Sequence, residues 1–153
     1  MPTTIPFEDD ILKLIFQAVA IQGIAINHTT TPLASYYVSL CKADPILPTN
    51  QVQDQLTSEV FYTGYARVLV PRNPLGWKVG GGVVTAVNVI AFAIPTDIVQ
   101  PFYATHFAIG GAASGAGKLI ASGKLVPPLQ IANGVEPRID NKSPAARMPD
   151  DWV

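Results

Sequence analysis

The sequence predicts a mainly β fold: a β-sandwich or jelly-roll-like domain with one N-terminal amphipathic helix and an extended C-terminal arm. Three observations carry this. Between Pro32 and Ile139, short runs rich in Val, Ile, Tyr and Phe are separated by Gly, Pro and Asn, the pattern of many-stranded sandwiches and barrels. Only one segment, Phe7–Gln22, has helical apolar spacing. Beyond Asp140 periodicity disappears, while prolines and charges remain. The predicted units are an arm and helix over 1–31, a β-sandwich domain over 32–139 and an extended arm over 140–153.

In the helix, Ile11, Leu14, Ile15, Ala18 and Val19 recur at three- and four-residue spacing and form one apolar stripe. Glu8, Asp9 and Asp10 fall in its first turn, where the helix dipole favours negative charge. Gly23 supplies a stop. Candidate strands are Ser35–Leu40, Ala66–Val70, Val83–Val84, Val87–Phe92, Thr105–Ile109, Leu119–Ser122, Leu129–Ala132 and Glu136–Ile139. Tyr36, Val38 and Leu40 share one face of the first; Val68 and Val70 oppose Arg67 and Leu69 in the second. Gly80-Gly81-Gly82 reads as a turn or bulge, and Pro127-Pro128 as a connection or edge, since proline cannot serve a central strand. The polar stretch from Ala43 to Ser58 reads as a long surface loop. No fixed-period repeat occurs, which argues against a solenoid or propeller.

Composition narrows the function. A chain of 153 residues buries roughly two-thirds of its surface on folding, enough for a core without metals or disulfides. Charged residues are only 14%, against about 25% in a typical soluble domain, while hydrophobic residues reach 48% and mean hydropathy +0.28. Disorder is excluded, because disordered chains are charge-rich and poor in hydrophobes. A net charge of −1 and a pI near 6.0 argue against nucleic acid as partner. The longest apolar stretch, Leu14–Ile26, carries Gln17 and Gln22 and is too short to span a bilayer. With Glu8, Asp9 and Asp10 before it, it also lacks the basic start of a signal peptide. Hence no membrane span and no secretion are expected. A single Cys41 makes no internal disulfide, as suits synthesis in a reducing cytosol, and the triplets Asn27-His28-Thr29 and Asn141-Lys142-Ser143 carry no weight without secretion. The scarcity of charge points to a surface covered by neighbours.

No catalytic constellation is legible. Gly110–Leu119 resembles a phosphate loop, but the first required glycine falls on Ala112, and Leu119 stands where Ser or Thr would hold magnesium. It reads as a glycine-rich hairpin. Cys41 continues the strand at Ser39 and Leu40, where a small buried residue is ordinary; His106 reads as a packed or interface histidine. Two His and one Cys make no four-ligand zinc site from soft ligands alone. The acidic groups, Glu8-Asp9-Asp10 and Asp150-Asp151, lack the alternating spacing of a calcium loop. Nothing points to paired glycosidase carboxylates, and aromatics at 8% leave little for a sugar platform. The expectation is no enzyme, no cofactor and no metal. Interface candidates are Ile11, Leu14, Ile15 and Val19 on the helix and Arg147 and Trp152 in the arm. For Trp152 two readings stay open: an anchor in a neighbouring subunit, or a side chain folded back on its own domain.

The helix with its acidic start, then Ser35-Tyr36-Tyr37-Val38-Ser39-Leu40-Cys41-Lys42-Ala43-Asp44-Pro45, then Glu59-Val60 and Thr63-Gly64-Tyr65-Ala66-Arg67-Val68, resembles small structural proteins of tailed bacteriophages. Ala104-Thr105-His106-Phe107-Ala108-Ile109-Gly110, Ser114-Gly115-Ala116-Gly117-Lys118-Leu119-Ile120 and Gly123-Lys124-Leu125 resemble that family's second half. The chain departs from the pattern in an expanded Ile46–Ser58 loop, in Cys41, and in the tail after Asp140. The resemblance implies a virion part made in the host bacterial cytoplasm. The leading expectation is a capsid cement or decoration protein on the capsid surface, a homo-oligomer (dimer or trimer) clamping neighbouring major capsid proteins. The alternative is a tail- or fibre-associated subunit contacting tail proteins. A small carbohydrate-binding or enzymatic β-sandwich comes third.

Overall fold

The computed structural model describes residues 5–21, 33–46, 54–142 and 144–147. Among the described residues, helix α1 (Ile5–Gln17) precedes nine strands: β1 (Ser35–Cys41), β2 (Val68–Pro71), β3 (Trp77–Gly80), β4 (Val83–Ala86), β5 (Ile90–Ala91), β6 (Phe102–Gly110), β7 (Leu119–Ile131), β8 (Arg138–Ile139) and β9 (Pro144–Arg147). All pairings are antiparallel. They form a four-stranded sheet β2-β1-β6-β7, a three-stranded sheet β3-β4-β9 and the pair β5-β8. The fold is therefore mainly β, with one N-terminal helix, as the sequence predicts.

Alternation in β1 explains the core. Tyr36, Val38 and Leu40 are buried on one face and join Phe107 and Ile109 of β6. Opposite them stand Trp77, Ala86, Ile90 and Ile139 from the other two sheets, and these residues line a cavity of about 10 Å³ between the layers. The arrangement is sandwich-like.

Helix α1 closes this core rather than standing apart. The stripe differs from the expected one: Leu12 and Phe16 are the most buried apolar helix residues, and Ile15 packs partly against the core. Ile11 and Leu14 are half-buried on its flank. Phe16 meets Tyr36 and Trp77 edge-on, at 5.7 and 5.2 Å between ring centres. The helix also ends five residues before the predicted Gln22, because Ala18 turns left-handed at φ +58°. Distant groups take the carbonyls freed there: Arg72 donates to Leu14 (2.7 Å) and Ile15 (2.5 Å), and the Tyr36 hydroxyl to Ile15 (2.8 Å). Gly23, the expected stop, lies outside the described residues, as do Asn27-His28-Thr29, Ser143 and Trp152.

Asp9 has a role that the dipole argument misses. Its carboxylate accepts from the N–H groups of Gly81 (3.2 Å) and Gly82 (2.7 Å). Those two residues form the β3–β4 turn with φ of +64° and +72°, which is the two-residue hairpin geometry that glycine permits. The triple glycine is a turn, as read.

Other strands moved. Val87–Phe92 narrows to Ile90–Ala91, Ala66–Val70 shifts to Val68–Pro71, and Trp77–Gly80 was not predicted. Leu119–Ser122 and Leu129–Ala132 belong to one strand, β7, at the sheet edge. Its register jumps from His106↔Lys124 to Ala104↔Leu129, and the prolines sit inside this bulge. Within the predicted C-terminal arm, Pro144–Arg147 is extended and pairs with β4.

Candidate functional site: a buried ion pair beneath an apolar rim

Of the sequence's interface candidates, three lie on the helix and Val19 just past its end. Ile15 is partly core, Ile11 and Leu14 are half-buried, and Val19 lies past the helix end and is exposed. Arg147 pairs through its backbone with Val83; Trp152 lies outside the described residues.

A different cluster is organised around Glu59 and Arg67. Residues 58–60 run along β1: Lys42 N–H donates to the Ser58 carbonyl and Val60 N–H to that of Leu40. This places Glu59 beside Cys41. Arg67 Nε and Nη2 grip the Glu59 carboxylate at 2.8 and 2.7 Å, a bidentate pair with side chains only 2% and 11% exposed. The Tyr65 hydroxyl donates to the same carboxylate at 3.1 Å and accepts from Leu40 N–H at 3.0 Å. The guanidinium then reaches over to the β6–β7 loop, donating to the carbonyls of Ala112 and Gly115, each at 2.9 Å.

Gln55 holds the same loop from below. It is fully buried, although it belongs to the polar Ala43–Ser58 stretch expected at the surface. Its side-chain amide donates to the Tyr37 carbonyl at 3.2 Å and accepts from Ala112 N–H at 2.8 Å. A Cβ on Gly110 would stand 2.0 Å from the Gln55 side chain, so this glycine is required by close approach. The Gly110–Lys118 loop is thus a hairpin connection nailed down by two polar side chains.

Electrostatics follow the burial. The hydrogen bond with Glu59 raises the Arg67 pKa most, and burial raises that of Tyr65. Burial, then the Glu59 carboxylate, pushes the Cys41 thiol up to about 12, so it is no nucleophile at neutral pH. His106 shares a 2.9 Å hydrogen bond with the Thr105 hydroxyl. Among the described residues no three His, Cys, Asp or Glu side chains converge as metal ligands, and no helix is long and apolar enough to cross a membrane.

Cys41 gives a direct check. At pH 8 the native thiol should stay silent to an aromatic disulfide reagent and react in full only in denaturant. Stability should also fall as pH rises from 9 toward 12: the unfolded thiol loses its proton first, so the native state binds more protons in that window. The buried tyrosines Tyr36, Tyr62 and Tyr65, also raised, add the same sign. Urea midpoints that stay flat between pH 8 and 11 would contradict this.

Above the ion pair lies the outer feature of the site. Phe61 is 83% exposed and forms a ridge between two hollows. One, of about 340 Å³, has Leu56, Tyr65, Ala66, Ala113 and Gly115 in its walls and the Arg67–Glu59 pair in its lining. The other, of about 300 Å³, is lined by Thr63, Asp97, Val99 and Phe102; Val99 is 96% exposed. Sequence reasoning missed this rim because Phe61 and Val99 are isolated apolar residues in irregular backbone, with no periodicity to flag them. Glu59 and Arg67 stood in the motif that resembles phage proteins, but no sequence rule pairs residues eight apart across a bent loop. The charge buried here is compensated, and apolar surface is left exposed at Phe61 and Val99.

A family model described as podophage GP4 fiber I protein gp80 matches residues 9–145. No curated protein matches the chain.

Proposed function

We propose a specific role on one premise: the chain belongs to the podophage GP4 fiber I protein gp80 family and is a bacteriophage virion structural protein. The role is that of a fibre-associated subunit, which acts by contact and not by turnover. One observation carries it: the family match runs through the helix and both main sheets, from residue 9 to 145, so the whole folded body is the family's unit. The low charge and the apolar rim at Phe61 support it physically, since a particle supplies neighbours that cover such surface. The capsid cement role, which leads from the sequence alone, has no feature of its own in its favour once the family is known.

Copy number and position in intact particles test the proposal. Cryo-electron microscopy with quantitative mass spectrometry should find the protein at the tail or its fibres, in numbers far below the capsid subunit count. Density on the head at capsid-subunit stoichiometry would overturn it in favour of cementing.

A further inference from the structure

We propose that the rim at Phe61 is a self-pairing surface: two copies of this chain dock face to face about a twofold axis, each Phe61 ring entering a hollow of the other. The inference supplies a partner for the structural role proposed above and rests on that role. Ridge and hollow lie on the same face, which is the condition for an isologous contact. The 340 Å³ hollow has room for a phenyl ring. Its walls at Ala66, Ala113 and Gly115 are small, and Tyr65 offers an aromatic surface.

Charge favours an identical partner over an oppositely charged one. The deep charges, Glu59 and Arg67, neutralise each other. At the second hollow the exposed groups are of opposite sign: Asp97 lines it, and Lys42 places its ammonium 4.9 Å from the ring of Phe102 in the same lining. A twofold axis that passes between the two groups sets Lys42 of one copy against Asp97 of the other, twice. A face of one sign would repel its own copy; this one complements it. Phe61, Val99 and Leu56 offer a patch of only a few hundred Å², below the ~800 Å² per partner of a standard stable interface. The pair is therefore weak in isolation and is strengthened where copies are held together on a particle.

Sedimentation equilibrium on the full chain over a wide concentration range tests this. The expected result is a reversible monomer–dimer equilibrium at high micromolar concentration. Phe61→Asp should weaken it by about tenfold or more, while Leu75→Asp, at an exposed leucine away from the rim, leaves it unchanged. Lys42→Asp and Asp97→Lys should each weaken the dimer, and the double variant should restore it, because the swapped charges meet again across the axis. Melting curves are read on every variant, and all four sites are exposed, so the wild-type midpoint is expected throughout. A chain monomeric at all concentrations, equal loss from Leu75→Asp, or no recovery in the double variant overturns the pairing. A monomer in solution leaves the virion location to be decided on particles; a head location would remove the fibre role and leave the measured pairing standing.

Discussion

Phe16→Ala should lower the stability of the fold by about 3–5 kcal/mol, the cost of deleting a buried phenylalanine and leaving part of its cavity unfilled. The ring is 2% exposed and contacts Tyr36 from the four-stranded sheet and Trp77 from the three-stranded sheet. It is where the helix and both layers meet, so neighbours are held on three sides and cannot collapse into the space. For a chain of this length the melting midpoint should drop by roughly 10 °C. The hydrogen bonds from Arg72 and Tyr36 to the helix end should persist in the variant, since they engage backbone carbonyls. Calorimetry decides it. A loss below about 1 kcal/mol would mean that α1 contributes little to the core.

Arg67→Ala should do comparable harm for a different reason. It leaves the Glu59 carboxylate buried, with only the Tyr65 hydroxyl and no cation, a change that typically costs about 3–5 kcal/mol. It also releases the carbonyls of Ala112 and Gly115, so amide exchange should quicken across residues 110–118 before it does in β1. The paired replacement Arg67→Met with Glu59→Leu should recover most of the loss, because removing both charges removes the desolvation penalty. If the single change costs under about 1 kcal/mol, the pair is not holding the loop. If the double change is worse than the single, the guanidinium–carbonyl bonds outweigh the charge pairing.

The two variants also mark where sequence reading succeeded. Phe16 lies within the predicted helix, and period-3.6 spacing found that helix without finding its inner face. The stripe through Ile11, Leu14, Ile15, Ala18 and Val19 gave weight to positions after Gln17, where the backbone has already left the helix at Ala18. Ending at Gln17 depends on a guanidinium more than fifty residues away, and local spacing carries no trace of Arg72. The strands divide in the same way. Ser35–Leu40 and Thr105–Ile109 lie in central strands, where packing demands strong alternation or continuous apolar runs, and both were legible. Trp77–Gly80 was hidden because a single buried Trp beside glycines has no period, and β9 because its pairing partner lies some sixty residues earlier.

What the sequence determined by itself is the class of molecule: a mainly β body with one helix, a phage-like order of motifs, and a low content of charge. These are properties of composition and short-range pattern, which follow from side-chain chemistry and backbone periods of two and 3.6 residues. Tertiary structure alone decided the rest. It chose which helix face turns inward, set the helix end, buried Gln55 under a glycine loop, and joined Glu59 to Arg67. It also left Phe61 and Val99 standing out beside two hollows. These outcomes are settled by the balance of desolvation and packing between groups that only the folded backbone brings together or leaves uncovered.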